Sequence, residues 1–286
     1  MSPPRAFGWL EEKPGEFDAL EDRDGQRIGR NRDGAQDLAG AAPPPQESLT
    51  LVHSLPPFKD QGNEPLCVTH GLLNGAETRL RALGVAVPAG SVRAPYALSL
   101  ALLRTFRGEP LVNLGTYPRV AFQCAKDWGV PPDSVWPFRD PRSGDVLDPI
   151  EEVPPHVLQA ASAWKIEEQL TIYAEGDERV RVVATAVANL EPVPCAGRVD
   201  QAFVDYQGRG VLGAPDPSRD RGGHMVCIIG YRTNPRTKRL EFLIRNSWSA
   251  WGFVLQSQPA LAWVSEEWVK AQADLFRIRV TKGPLS

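Results

Sequence analysis

The apolar residues of this chain change their period partway along, and that change restricts the fold more than any other feature. From about Leu51 to Leu170 they recur at helical spacing. Leu73, Ala76, Leu80 and Leu83 share one helical face that Gly84 can end, Pro95 opens "PYALSLALLRTF", and Pro118 opens "PRVAFQCAKDWG", which Gly129 closes. The segment "DERVRVVATAVANLE", with Asp177 as its N-cap, aligns Val180, Val183, Val187 and Leu190 and begins a second half. Short apolar segments bounded by Gly, Pro and Asn follow: "PVPCAGRV", "HMVCIIGYR", "RLEFLIRNSW" and "LFRIRVTK". Helices followed by strands imply an α+β chain, helical over about 51–175 and strand-rich over about 176–286. Residues 1–50, rich in Pro, Gly, Asp and Arg, read as a disordered or extended N-terminal arm before a folded part at 51–286.

Composition removes several classes of function. With 32 basic and 35 acidic residues and no Lys/Arg cluster, nothing points to nucleic acid. The apolar stretches "APYALSLALL" and "HMVCIIGY" are too short to cross a bilayer, and the start lacks the basic and apolar regions of an export signal. The four cysteines, at 67, 124, 195 and 227, are widely spaced and form no disulfide framework. A reducing compartment, the cytoplasm, is expected, with export by a signal-independent route left open. No cofactor or metal is expected, and oligomeric state is not readable.

Cys67 could be a core thiol, a metal ligand or a nucleophile. It falls in the first turn of the helix that follows Pro65, where unsatisfied N–H groups and the helix dipole favour a thiolate. Taken alone, such a cysteine is more commonly a small buried hydrophobe. "CVTH" and "HMVC" also resemble zinc-ligand pairs, but on a strand His224 and Cys227 point to opposite faces. The turn "TNPRTK" predicts an antiparallel hairpin; centred on Pro235, it pairs Gly230 with Leu240, Ile228 with Phe242, Val226 with Ile244, and His224 with Asn246. His70, one helical turn after Cys67, is a competing base with no evident orienting partner.

Four segments in order resemble the papain-like cysteine peptidases over most of residues 55–280: "FKDQGNEPLC", "LGTYPRVAFQCAKDWGVPPDSVWPF", "GGHMVCIIGY" and "LIRNSWSAWG". The resemblance implies a two-lobed α+β fold, a helical lobe facing an antiparallel, β-barrel-like lobe with the site in the cleft between them. It implies a peptidase acting on peptide or protein substrates through an acyl-enzyme. Cys67 would be the nucleophile, His224 its base, Asn246 the group orienting the imidazole, and Gln61 an oxyanion donor. Gly115, Thr116 and Tyr117 would form one substrate wall, Gly223 would lie on the other, and Trp248 would shield the His–Asn bond. The same groups suit other thiol acyl chemistry (isopeptidase, amidase or acyltransferase), and a catalytically weak papain-fold binding protein is the reading from a different class.

The chain departs from the family pattern around the nucleophile. Glu64 and Val68 flank Cys67, no cysteine stands upstream for the usual disulfide, and Thr116 replaces a customary glycine. A carboxylate near Cys67 raises the thiol pKa unless it caps the helix or points to solvent. The arm either occupies the cleft as an extended strand or leaves control of activity to another part of the chain.

Overall fold

Helix α1 (Cys67–Ala82) starts two residues after Pro65, with Leu66 at its N-cap, so Cys67 is its first residue. Its buried side includes Leu72, Leu73, Ala76 and Leu80. In the computed structural model, which describes residues 7–25, 27, 32–36, 38, 48–108, 112–148, 152–161 and 164–280, this helix lies between the two halves of the chain. One apolar cluster joins it to Leu100 and Phe122 of the helical half and to Met225, Phe276 and Ile278 of the sheet. Burial of such side chains stabilises by roughly 1.5–3 kcal/mol each, so α1 is held by both halves at once.

The helical half adds α2 (Arg93–Arg107), α3 (Pro118–Asp127) and the short α4 (Pro155–Ala161). Helix α2 begins two residues before Pro95, which therefore occupies the first turn, where its missing N–H costs no intrahelical bond. Pro118 opens α3 as expected, and Gly129, at φ +86°, takes the left-handed conformation that ends it. Two strands also fall within 51–175 or border it: β1 (Ser48–Thr50) and β2 (Ile166–Thr171).

The second half opens on α5 (Gly176–Ala188), capped by Glu175 with Asp177 in its first turn rather than at the cap. It continues through β3 (Val193–Asp200), α6 (Gln201–Val204), β4 (Val211–Leu212), β5 (Asp220–Thr233), β6 (Leu240–Arg245), β7 (Phe253–Leu255), β8 (Gln258–Ser265), α7 (Glu266–Lys270) and β9 (Asp274–Val280). The strand order is β2-β9-β3-β5-β6-β8-β4, with β1 added to β5 and β7 to β8; all pairings are antiparallel except β4 with β8. Val180, Val183 and Val187 of α5 pack against Val193, Val226, Ile228 and Phe242. The four predicted strands are β3, β5, β6 and β9.

The β5–β6 register differs from the expectation centred on Pro235. Thr233 pairs with Leu240, Gly230 with Leu243, and Ile228 with Ile244, with a bulge between Ile228 and Gly230. The reason is local: the Asn234 side chain accepts from the N–H groups of Arg236 and Thr237 at 2.9 and 3.1 Å, and Lys238 takes φ 60°. That Asx turn moves the centre of the hairpin past Pro235, and the bulge absorbs one further residue.

Candidate active site

The imidazole and the carboxamide meet, and the thiol lies against the strand residue next to that imidazole. Cys67 is at the tip of α1, His224 is inside β5, and Asn246 follows directly on β6. His224 and Asn246 are not the cross-strand pair that the sequence suggested. Asn246 has left the ladder, its N–H donating to Ala260 O at 2.9 Å, and its side chain reaches back so that Oδ1 lies 2.8 Å from His224 Nε2. An amide oxygen accepts, so this contact sets Nε2 as the protonated nitrogen and leaves Nδ1 the basic one. Trp248 covers the bond, its ring stacked on His224 at 4.2 Å and 26°. The backbone N–H of Met225, next to His224, points at the Cys67 thiol.

Gln61 is fully buried and joined to the same group through Ser247, a residue the sequence reading passed over. Its backbone N–H donates to Ser247 O at 2.8 Å, its Oε1 accepts from Ser247 Oγ at 2.6 Å, and its Nε2 donates to Glu64 O at 2.6 Å. Ser247 also donates its N–H to Asn246 Oδ1 at 2.7 Å, so one residue holds both amide side chains. In the sequence it is a serine between Asn246 and Trp248, with nothing to separate it from an ordinary loop residue.

Glu64 is half-buried and does not cap α1. Its Oε2 accepts from Asn113 Nδ2 at 2.8 Å, Asn113 Oδ1 accepts from Tyr96 OH at 2.7 Å, and Tyr96 OH accepts from Gly115 N–H at 3.1 Å. The carboxylate thus ties the loop before Cys67 to the wall at 113–116, and it is absent from the groups that move the Cys67 thiol. His70, buried at 3% exposure, lies against Phe138 with its ring edge-on at 6.1 Å. Burial, with the Lys59, His224 and Arg139 charges adding to it, pushes its pKa down to about 3, the state of an inert neutral imidazole.

Part of the arm lies in the cleft. Thr116 N–H donates to Gly8 O at 2.9 Å, Leu10 N–H to Thr116 O at 3.1 Å, and Trp9 N–H to Gly223 O at 3.4 Å. Residues 8–10 therefore run parallel to the wall at Thr116, exchanging hydrogen bonds with it on one side of the cleft and donating one to Gly223 on the other. A Cβ on Gly8 would lie 2.8 Å from Pro65 Cα and nearer still to the Pro65 carbonyl, so the arm passes directly over the residues leading to Cys67. Phe7 stands edge-on to His224 and Trp248, at 6.3 and 5.9 Å. Further along, Phe17 and Leu20 bury themselves against Leu103, Tyr117 and Val120. Tyr117 belongs to that contact: its ring meets Phe17 at 4.7 Å and its hydroxyl meets Arg107 and Glu16, so it is not part of the cleft wall with Gly115 and Thr116.

The covering arm reverses one expectation. Position in the first turn of a helix favours a thiolate, yet burial pushes the Cys67 thiol up to about 11, against the N–H groups of Met225, Gly8, Val68 and Cys67 itself. Among the described residues no group of three His, Cys, Asp or Glu side chains could hold a metal ion, and no helix is long and apolar enough to cross a membrane.

A helix whose tip bears a thiol, packed against the strand that carries an imidazole and set between a helical and a strand-rich half, is the architecture of a papain-like α+β protein. Residues 114–253 match the family model described as papain family cysteine protease. Xylellain, a cysteine protease from Xylella fastidiosa, superimposes with a TM-score of 0.69 at 19% identity, covering 99% of this chain and 98% of that one. Procathepsin B from Trypanosoma congolense gives 0.67 at 12% identity over 98% and 88% of the two chains. The bromelain protease of Ananas comosus gives 0.60 at 15% identity over 81% and 98%. An uncharacterized peptidase C1-like protein of Acanthamoeba polyphaga mimivirus is 27% identical over 142 residues, 48% of this chain and 44% of that protein, so the match spans less than half of that relative. Residues 114–253 thus match the papain family, and the chain as a whole has the papain-like fold.

Proposed function

We propose that the chain is a cysteine peptidase that hydrolyses peptide bonds through a Cys67–His224–Asn246 triad and an acyl-enzyme. The observation that carries this reading is the 2.8 Å contact between His224 Nε2 and Asn246 Oδ1 on the strand that faces the Cys67 helix tip. With Nε2 protonated and held, Nδ1 takes the proton of the Cys67 thiol. The thiolate attacks the substrate carbonyl carbon, and charge develops on its oxygen. The Gln61 carboxamide and the Cys67 backbone N–H are the donors for that oxygen, worth about 3 kcal/mol each in the transition state. The imidazolium then gives its proton to the leaving amine, leaving a thioester on Cys67. Water attacks the thioester while His224 accepts its proton, and the product acid departs as the thiolate is restored.

Substrates are peptides or proteins in extended form. Thr116 and Gly223 already hold an extended backbone, that of residues 8–10, through hydrogen bonds made on both sides of the cleft. This favours peptide hydrolysis over amidase, isopeptidase or acyltransferase chemistry, whose acceptors need no such wall. The arm must leave before a substrate enters. Four buried free cysteines suit a reducing compartment such as the cytoplasm. The test is labelling by a thiol-directed epoxide: one equivalent on Cys67, abolished in His224→Ala, together with at least a roughly thousandfold loss of peptide cleavage in Cys67→Ala. A chain that takes no label even with the arm displaced is a binding protein on the same scaffold.

A further inference from the structure

Gln61 belongs to no helix or strand, so the direction of its carboxamide depends on what fastens its loop. The residue before it makes most of the attachments. The half-buried Asp60 carboxylate is a junction: Oδ1 accepts from the Gly62 N–H at 3.0 Å and from the Ser249 N–H at 3.2 Å, and Oδ2 accepts from Ser249 Oγ at 2.7 Å. The first bond closes an Asx turn around Gln61, and Gly62 completes it at φ +60°, a conformation that suits glycine. The two bonds to Ser249 fix that turn to the segment after Asn246, on the strand-rich side. On the helical side, Arg139 Nε and Nη2 donate to Asp60 O at 3.3 and 3.1 Å. A Cβ on Gly62 would come 2.7 Å from Arg139 Nη2, so the guanidinium closes over the turn.

A carboxylate suits this junction. It accepts from several donors at once, and its bonds are charge-assisted, about twice as strong as neutral ones. The bonds from Gln61 to Ser247 and Glu64 set the rotamer of the carboxamide, whereas Asp60 sets the backbone from which that long side chain grows. An oxyanion donor works only if it is already aimed at the place where charge develops, and a misplacement of about 1 Å costs on the order of a hundredfold in rate. A turn held to both halves of the chain supplies that fixity.

We propose that Asp60 is a positioning residue for the reaction: its hold on Gly62 and Ser249 fixes the turn from which the Gln61 carboxamide is aimed at the substrate carbonyl oxygen. The proposal rests on the peptidase reading, in which Gln61 is an oxyanion donor. It places the effect on the chemical step, since an extended backbone is held by Thr116 and Gly223. In full-length Gly8→Ala, which displaces the arm, Asp60→Ala should lower kcat for a peptide about thirtyfold with KM within about twofold, inside the roughly 10²–10³ that one such donor is worth. Asp60→Asn keeps an acceptor oxygen for the Gly62 and Ser249 N–H groups and should recover most of the loss. The deciding measurement is a double-mutant cycle: beside Gln61→Ala, Asp60→Ala should cost less than about twofold more, because no carboxamide is left to aim. A loss that falls on KM, that persists in full beside Gln61→Ala, or that Asp60→Asn does not relieve overturns the proposal. If Asp60→Ala does not fold, Ser249→Ala at an exposed position takes its place in the same cycle, with an expected loss of about threefold. A second readout needs no turnover: in amide NMR spectra of the full chain, the Gln61 side-chain signals should move toward those of a solvated amide in Asp60→Ala and return in Asp60→Asn. Signals that stay in place also overturn it. If the Gly8→Ala parent cleaves nothing, the hydrolytic reading fails and these signals still decide whether Asp60 holds Gln61.

Discussion

Gly8→Ala should open the cleft. The added Cβ would sit 2.8 Å from Pro65 Cα and closer to the Pro65 carbonyl, and both are backbone atoms that cannot swing aside. From the other side, the Thr116 N–H bond to Gly8 O, at 2.9 Å, stops the arm from backing away without losing that contact. Overpacking at a site with no room to relax costs about 3 kcal/mol. The arm is held over the cleft by a few backbone hydrogen bonds at about 1 kcal/mol each and by the burial of Trp9, so a penalty of that size is a large share of its attachment. At 1.4 kcal/mol per tenfold, the open fraction rises by about a hundredfold. The assay is the second-order rate of Cys67 labelling by a thiol-directed epoxide, read beside the turnover of a fluorogenic peptide, with Glu11→Ala as a control on an exposed neighbour expected to change neither. An increase below about threefold in both measurements, with the melting temperature of the body unchanged, would falsify the claim that residues 8–10 block the site.

Three further outcomes follow from the geometry. In the Gly8→Ala background, Glu64→Ala should raise KM by roughly 5–10-fold with kcat nearly unchanged, because the wall at 113–116 loses the bond that fixes it; Glu64→Gln, which still offers Asn113 an acceptor oxygen, should restore most of the loss in steady-state kinetics. His70 is buried neutral with its pKa lowered from 6.5 to about 3, so its contribution to stability is full above pH 6.5 and is lost as pH falls toward 3; His70→Leu should move the acid-unfolding midpoint, followed by circular dichroism, to lower pH and leave peptide cleavage intact. With the arm in place, iodoacetamide labelling of Cys67 should climb steeply between pH 9 and 11, whereas the Gly8→Ala chain should already react near neutral pH.

The parts of the site that were legible in the sequence are those set by a residue type at a fixed place on a single element. Cys67 could be put on a helix tip and His224 inside a strand because proline, glycine and apolar spacing mark those elements. Bringing His224 and Asn246 together from pairing arithmetic reached the right neighbours by the wrong register, since an Asx turn at Asn234 and a bulge near Ile229 shift the ladder and the Asn246 side chain makes up the distance. Strands β2 and β8 were missed: β2 reads "IEEQLT", polar on its exposed face, and β8 follows a turn in which Gln256 and Ser257 take positive φ without a glycine to announce it. The place of the arm, in the cleft or away from it, was left undecided by the sequence for a different reason. The hydrogen bonds that hold it use backbone groups of residues 8–10, which leave no mark on side-chain pattern, the buried Trp9, Phe17 and Leu20 recur at no regular spacing, and the need for glycine at position 8 exists only in relation to the Pro65 carbonyl.

The arm acts on the nucleophile as well as on access to it. A place in the first turn of a helix favours a thiolate by roughly 0.3–1 kcal/mol, and up to about 2 where partly buried. The rise of the Cys67 pKa from 9.0 to about 11 corresponds to roughly 3 kcal/mol in the opposite sense, so while the arm is down desolvation wins and the sulfur keeps its proton. Because the pKa is raised, the covered state is at full strength below about pH 9 and weakens as pH climbs through 11; by the same linkage, departure of the arm should let water back in and lower the pKa. Access and ionisation are therefore coupled rather than independent, and a variant that loosens the arm should change the pH dependence of the thiol together with its exposure. A purely steric plug would change exposure alone.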